Sequence, residues 1–572
     1  MPETMTTTSV DESAYHQRLQ ALWESRWPKG VPRAPRYPLG EIPLTGYLRE
    51  WARRMPDKAA LEFYGRSVSW SELNRLSDAF AVLLQREGVQ PGDRVAVFLP
   101  NCPQFHVVFF GVLKAGCVHV PVNPMFTEAE LVYELQDTQA RLLVAQDALV
   151  PLARKAQPQT QVEQVFSTSW LDMLPAQPQG TLPPGLLERH APVPGVRLLM
   201  AELAQLKDAP APQDASSLDT LAALNYTGGT TGLPKGCMHT QRDMLYTAAV
   251  ASSISAEIGP QDTVVNFWPV FWVAGEDAGI LLPVVTGATC VLMARWDPVG
   301  FIEAVERYRA TVAFMLVDNA VQVMEHPQAL PGRLSSLRET LVASFVKKLN
   351  PAFRARWREV AGPTLREAAW GMTETNSFDT FTRGFQHEDA DLKARQVFCG
   401  LPVPGTAFKV VEFGGSRLLP LGQEGELCVR SPSLFAGYWN RPEATAEAVV
   451  DGWLRTGDLA MIGEDGCVHF LGRRKEMLKV KGMSVFPAEI EAVLGQHPAV
   501  TGSGVVGRED AERGQVPVAF ITVQGATATA SDLAAFCRER LAVYKIPEIR
   551  IVASLPMTAT GKVRKDELVG ML

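Results

Sequence analysis

The chain predicts an α/β protein: a large N-terminal domain of two stacked α/β sheets with a small β-rich subdomain, then a small α+β C-terminal domain. Three observations predict it. Apolar runs typical of buried strands alternate with helical segments in two separate stretches. From about 400 to 470, Gly, Pro and short alternating strands dominate. Beyond that, the last roughly 100 residues carry strand and helix signals of their own, an ordinary size for a small domain.

In chain order, Val95–Leu99 reads as a buried strand, Phe105–Leu113 as a helix and Val118–Val122 as a second strand. Thr127 and Glu130 form a capping box that opens a helix through Leu131 and Leu135, and Leu142–Val144 is a third strand. Residues 156–218 are rich in Pro, Gln and Ala with little periodicity, and are expected to be an irregular surface excursion. The rhythm returns with strands Val264–Phe267 and Thr289–Met293, helix Pro298–Tyr308 and strand Val312–Leu316. Between them, Ala278–Ala294 is uncharged for seventeen residues, close to the lower limit of a membrane span. Pro283, Thr286, Gly287 and Thr289 divide it into a short helix, a turn and a strand, so a buried βα unit is expected instead.

Phe408–Val411 and Glu426–Val429 are strands of the β-rich part, and a boundary falls near Gly472–Lys475. After it, Pro487–Leu494 reads as a helix, Val518–Val523 as a strand and Ile549–Val552 as another. Ser531 is expected to cap a helix with Leu533, Phe536, Cys537 and Leu541 on one face. The expected division is a leader over 1–44, a large domain over 45–473 and a small domain over 474–572.

Composition narrows the class. Hydrophobic residues make up 46% and charged residues 20% of the 572, an ordinary globular mixture. A net charge of −7, with no basic and aromatic residues interleaved along one segment, argues against nucleic-acid binding. Eight cysteines lie scattered without a Cys-x-x-Cys pair, mostly among apolar neighbours, which points to free buried thiols in a reducing compartment. The N-terminus has neither a basic start nor an apolar core, so no signal peptide is read there and a cytoplasmic location is expected.

Residues 226–236 carry the most chemistry: Tyr-Thr-Gly-Gly-Thr-Thr-Gly-Leu-Pro-Lys-Gly, following the apolar run Leu221–Leu224. Gly228, Gly229 and Gly232 let the backbone turn tightly and bring its N–H groups close to an anion. Thr227, Thr230 and Thr231 add hydroxyl donors and Lys235 a mobile positive charge, so the loop suits a polyphosphate. It is not a Walker loop, because Lys235 follows Pro234 and precedes Gly236, nor is it Gly-x-Gly-x-x-Gly. Taken alone, a Gly/Thr-rich surface turn is the alternative.

The loop resembles the phosphate-binding signature of the adenylate-forming (AMP-binding) enzymes, which include acyl-CoA synthetases, peptide-synthetase adenylation domains and luciferases. The usual Ser is replaced by Gly228, which removes one hydroxyl and keeps the backbone donors. Further segments resemble that family's motifs in the same order: Trp370-Gly371-Met372-Thr373-Glu374, Gly425-Glu426-Leu427, Gly437-Tyr438, Gly452-Trp453, Thr456-Gly457-Asp458, Gly472–Lys475 with Lys479 and Gly482, and Pro556–Lys562. The resemblance runs from about residue 45 to the end.

It implies an acid–CoA ligase of the fatty-acid–CoA ligase type: a carboxylate attacks the α-phosphorus of ATP and expels pyrophosphate, then the thiol of CoA displaces AMP. By resemblance, Lys562 is the adenylation catalyst, carried on a mobile small domain. Glu374 with Thr230 binds Mg²⁺, a hard cation suited to carboxylate and phosphate oxygens. Thr227, Gly228, Gly229, Thr231, Gly232 and Lys235 hold the phosphates, Trp370 with Gly371 and Thr373 lies on the adenine side, and Asp458 with Arg473 takes the ribose hydroxyls. After a swing about a hinge at Lys475, Lys479 and Gly482 face the site, Gly482 leaving room for the pantetheine thiol. Outside the motifs, Glu374 reads as a solvated helix-end charge, Trp370 as core, Asp458 as an Asx-turn and Lys562 as an exposed tail lysine.

Two segments depart from the family pattern. Trp272 stands where a His is often seen, before Val273-Ala274-Gly275, and Ala343-Ser344-Phe345-Val346-Lys347 replaces the usual adenine-side loop. Trp272, Gly275 and Ala343 are the substrate-side candidates. Glu276 and Asp277 are expected to point away from the pocket at a helix start, where negative charge is favourable. The opening Leu22-Trp23 with Trp27–Pro32 resembles the leader of bacterial long-chain acyl-CoA ligases, which favours medium- or long-chain fatty acids as substrate. An aryl- or arylalkanoate-CoA ligase, with Trp272 shaping a short flat pocket, is the alternative. A catalytically inactive nucleotide-binding protein is the reading from another class, against which intact Lys562, Glu374 and Asp458 weigh. A loose membrane association and a homodimer stay open; the expected partners are a small carboxylic acid, ATP and CoA.

Overall fold

Strands with apolar residues on both faces need cover on both faces, and the N-terminal half meets that need with two mainly parallel sheets flanked by helices. A computed structural model describes residues 11–210, 212–227, 233–393, 397–481, 483–525, 528–558 and 561–572. The first sheet has seven strands in the order Leu365–Glu367, Glu339–Ala343, Val312–Leu316, Thr263–Asn266, Thr289–Leu292, Ala59–Phe63 and Arg66–Ser69. The second also has seven: Arg197–Leu198, Gln164–Thr168, Leu142–Gln146, Arg94–Phe98, Val118–Pro121, Leu221–Tyr226 and Gly236–Thr240. Each is parallel except for an antiparallel hairpin at one edge, and in the second sheet that hairpin flanks the Gly/Thr loop.

The helix Pro103–Lys114 is buried on every side, as its run of Phe and Val requires, and it packs on Trp70–Arg86 within the largest core. The uncharged stretch at 278–294 is indeed broken. Its helical part ends at Thr286, Gly287 takes a left-handed φ of 71°, and Thr289–Leu292 enters the first sheet. Among the described residues, no helix is long and apolar enough to cross a membrane.

A third sheet carries strands Thr380–Phe381, Val397–Pro402, Val468–Arg473, Trp453–Ile462, Glu424–Arg430 and Ala407–Val411. The N-terminal helix Glu12–Arg26 packs on it: His16 stacks on Trp453, and the Trp23 indole N–H donates to the Gly466 carbonyl at 2.9 Å. The chain crosses to a fourth sheet between Arg473 and Leu478. That sheet joins Leu478–Val480, Met483–Val485, Val500–Asp510, Gly514–Val523 and Glu548–Ile551 and is covered by helices Pro487–Leu494 and Ala530–Arg538.

Two local expectations are corrected. The excursion at 156–218 contains a regular strand, Gln164–Thr168, which extends the second sheet parallel to Leu142–Gln146. Its apolar signal is only Val165 and Phe166, and Pro/Gln-rich flanks obscure it. The helix Ala530–Arg538 is capped by Thr529, not Ser531: the Asp532 N–H donates to Thr529 Oγ1 while the Asp532 carboxylate accepts from the Thr529 N–H at 2.9 Å. A two-sided capping box outbids a lone serine two residues later. All eight cysteines are buried and unpaired.

Candidate active site

The hairpin Leu221–Tyr226/Gly236–Thr240 fixes the base of the Gly/Thr loop. At its neck the Thr227 N–H donates to the Lys235 carbonyl at 2.9 Å, and the Lys235 N–H donates to Thr227 Oγ1 at 3.3 Å. The Lys235 ammonium lies 4.3 Å from the centroid of the Tyr438 ring, a cation–π contact. Gly228, Gly229, Thr230, Thr231 and Gly232, and Gly482 on the small domain, lie outside the described residues.

Tyr438 connects this hairpin to the next motif. Its O–H donates to the buried Glu374 carboxylate at 2.7 Å, and the His239 imidazole N–H, from the hairpin itself, donates to the Thr373 carbonyl at 2.7 Å. Gly371 is needed by close approach: a Cβ there would lie 2.1 Å from the Ser377 carbonyl oxygen. The Trp370 side chain is buried edge-on against Phe408, and its indole N–H donates to Asp458 Oδ2 at 3.1 Å. Cross-strand pairing sets Arg473 opposite Asp458, and its Nε sits 3.0 Å from Asp458 Oδ1. Burial pushes the Asp458 carboxyl up, while the Arg473 guanidinium and the Trp370 N–H act in the opposite direction.

Lys562, ninety residues beyond this strand pair, comes to the same place. Its Nζ lies 5.0 Å from the Phe345 ring centroid and 6.0 Å from that of Trp272. The residue as a whole is exposed. Crowding around the ammonium, with the Arg473 charge second, holds its pKa below the ordinary lysine range. Lys479 is elsewhere, exposed on the hairpin Leu478–Val480/Met483–Val485 of the small domain.

Trp272 stacks on Trp268 with centroids 5.3 Å apart and caps the helical turn that contains Gly275. A Cβ on Gly275 would fall 2.0 Å from the Pro269 carbonyl oxygen, so only glycine allows this turn to fold back on its own entry strand. A cavity of about 240 Å³ opens beside it, walled by Trp268, Phe271, Trp272, Trp296 and Leu316 and closed on one side by Gly561. Ala343 ends its strand next to Ser344, whose N–H and hydroxyl both donate to the half-buried Glu367 carboxylate, at 2.8 and 2.7 Å.

Glu276 and Asp277 do not line this cavity. Both are buried, Glu276 with His119 at 3.7 Å and Asp277 accepting from the Asn376 amide at 3.3 Å. The helical path continues past them to Thr286, which turns them into the interior between the two large sheets. Burial raises the Glu276 pKa to about 8 and that of Asp277 well above the carboxylate range.

Three features escaped sequence reasoning: Tyr438 as the partner of Glu374, Phe345 as a wall facing Lys562, and the closure by Gly561. The Gly437-Tyr438 pair was a visible signal for the first. The other two depend on how the lobes meet.

A single carboxylate oxygen of Glu374, the other being held by Tyr438, suits Mg²⁺, which takes few protein ligands and completes its shell from phosphate and water. The AMP-binding enzyme family matches residues 48–439, and the AMP-binding enzyme C-terminal domain matches 489–562. The chain is 31% identical to a long-chain-fatty-acid–CoA ligase of Bacillus subtilis, over 96% of this chain and 98% of that one. It is 28% identical to 4-coumarate–CoA ligase 1 of Petroselinum crispum, over 92% and 93%. The crystal structure of an anthranilate CoA ligase in complex with anthranoyl-AMP superposes with a TM-score of 0.79 at 25% identity, covering 92% of this chain and 97% of that one. The chain therefore belongs to the AMP-binding enzyme family, as an acid–thiol ligase that works with ATP, Mg²⁺ and coenzyme A.

Proposed function

We propose that the acid is a fatty acid of medium or long chain and that Lys562 is the catalyst of its adenylation. The observation that supports this most is the meeting of Lys562, from the small domain, with Trp272 and Phe345 of the large one, alongside the Asp458–Arg473 pair. Carboxylate and ATP repel each other, so the site must supply positive charge where the carboxylate oxygen meets the α-phosphorus. Lys562 supplies it there. Lys235, with Thr227 and the loop residues through Gly232, grips the departing pyrophosphate. The Asp458 carboxylate accepts from the ribose hydroxyls with Arg473 as its companion, and Trp370, Gly371 and Thr373 form the adenine side. Mg²⁺, held by Glu374 with Thr230, neutralises phosphate charge when bound. In the second half-reaction Lys562 withdraws, Lys479 and Gly482 turn toward the site, and the thiol sulfur attacks the acyl carbon, expelling AMP and releasing the thiol proton.

The mainly apolar cavity walled by Trp268, Phe271 and Trp272 supports an apolar acyl group, and so does the similarity to fatty-acid–CoA ligases over nearly the whole chain. The stacked Trp268–Trp272 pair favours a second reading, a flat aryl acid. A coupled AMP-release screen with CoA separates the two: kcat/KM rising with chain length supports the first, and a maximum at benzoate-like acids the second. Eight buried, unpaired thiols suit a reducing compartment, in line with a cytoplasmic enzyme.

A further inference from the structure

The loop at 344–348, which departs from the family pattern, is firmly held at its base. Ser344 is tied to Glu367 by two hydrogen bonds, the Leu349 N–H donates to Ser344 Oγ at 3.0 Å, and the Lys347 N–H donates to Asp318 at 3.2 Å. From this fixed base, three consecutive features face the small domain. Phe345 presents its ring to Lys562. Val346 is buried beneath Gly502, where an added Cβ would lie 2.8 Å from the Val346 Cγ1. Lys348 lays its stem along Gly495, where an added Cβ would lie 3.0 Å from its Cγ.

The charge of Lys348 has partners on both lobes. A lysine has three N–H donors. Two go to the Ser344 and Phe345 carbonyls, at 2.9 and 3.1 Å, within its own loop. Burial lowers the Lys348 pKa, and the charge of Glu491, on the small-domain helix Pro487–Leu494, opposes that shift. Glu491 also accepts from the Val505 N–H at 2.9 Å and pairs with Lys565 at 3.1 Å, and Lys565 pairs with Glu476 in the segment between the lobes. A continuous set of charges thus joins the loop, the small-domain helix, the helix that follows Lys562 and the connecting segment.

We propose that Phe345–Lys348 is the seat on which the small domain docks for acyl-adenylate formation, with Lys348 the positioning residue that holds Lys562 against Trp272 and Phe345. The proposal rests on the two-step ligase reading above. Lys348 touches no reacting atom; it acts through the lobe. When the small domain swings away for thioester formation, Lys348 parts from Gly495 and Val346 from Gly502, so weakening the seat penalises only the first half-reaction.

The test uses the purified full chain with an acid accepted by the wild type. Lys348→Met keeps the stem and removes the charge. Acid-dependent ATP–pyrophosphate exchange is expected to fall about tenfold, equivalent to about 1.4 kcal/mol of docking. Formation of acyl-CoA from isolated acyl-adenylate and CoA is not slowed, and Lys348→Arg restores most of the exchange. A second variant tests the seat without touching charge. Val346→Cys with Gly502→Cys, once oxidised, is expected to keep exchange and lose thioester formation, and a reductant restores it. Exchange at the wild-type rate in Lys348→Met, an equal loss of both half-reactions, or undiminished thioester formation by the oxidised pair overturns the seat while leaving the ligase reading intact. No exchange in the wild type with any acid overturns the ligase reading, and the seat with it.

Discussion

Replacing Lys562 by Ala removes the side-chain charge that it brings from the small domain to Trp272 and Phe345. The fold has little reason to respond. The turn around it is closed by backbone atoms and Thr558: the Thr558 N–H donates to the Lys562 carbonyl at 2.7 Å, and the Lys562 N–H donates to Thr558 Oγ1 at 3.0 Å. Both survive the substitution. The two ring contacts are worth about 0.5–2 kcal/mol each, spread between docking and catalysis. Loss of a donor aimed at developing charge is worth roughly 3–4 kcal/mol, or about 10²–10³ in rate. Acid-dependent pyrophosphate exchange should fall by that factor, with ATP affinity within a few-fold of the wild type because Lys235 and the loop hairpin belong to the large domain. Acyl-CoA formation from isolated acyl-adenylate should persist. Unchanged exchange, or equal loss in both half-reactions, would refute the assignment of the catalyst.

Other consequences are equally open to measurement. Asp458→Asn keeps the shape but loses the charge paired with Arg473, and should raise the calorimetric Kd for ATP about 10–100-fold, the range for one or two hydrogen bonds to a charged group; an unchanged Kd would contradict the ribose role. The alkaline limb of exchange should fall at a pH below the ordinary lysine range, since Lys562 acts as the cation and its pKa is depressed, and Lys562→Arg should shift that limb upward. Glu276 concerns stability. Its native pKa of about 8 lies above the ordinary value of 4.5, so the native state keeps a proton that the unfolded chain sheds in between. Stability from this group is present below the lower value and is lost as pH rises toward the upper one. Glu276→Gln should therefore gain on the wild type in chemical denaturation from pH 5 to 8, by up to about 4 kcal/mol, and level off above; a pH-independent difference would contradict a buried neutral acid.

Much of this was legible before any coordinates. The strand runs at 95–99, 118–122 and 312–316 and the capping box at Thr127 are local signals, and tertiary packing left them as they stood. Asp458 lies inside the strand Trp453–Ile462, opposite Arg473, and Trp370 lies three residues beyond the strand Leu365–Glu367, so the motif residues follow local strand patterns. Strand Gln164–Thr168 was hidden because two apolar residues are too few to outweigh a Pro/Gln-rich surround. The inward turn of Glu276 and Asp277 was missed for a different reason. A carboxylate at a helix start is favourable in water, and only the layer of the second sheet, with His119 facing Glu276, takes that water away. The Phe345–Lys348 seat is invisible in sequence because its partners, Gly495, Gly502 and Glu491, lie some 150 residues away on another lobe.

The account depends on two lobes bringing charge together so that a carboxylate can displace pyrophosphate. Exchange of labelled pyrophosphate into ATP by the wild-type chain, without CoA and across a series of fatty acids, measures that step alone. The predicted result is exchange that requires the acid and Mg²⁺, with net AMP release only once CoA is added. ATP binding with no exchange in the presence of any acid would contradict it.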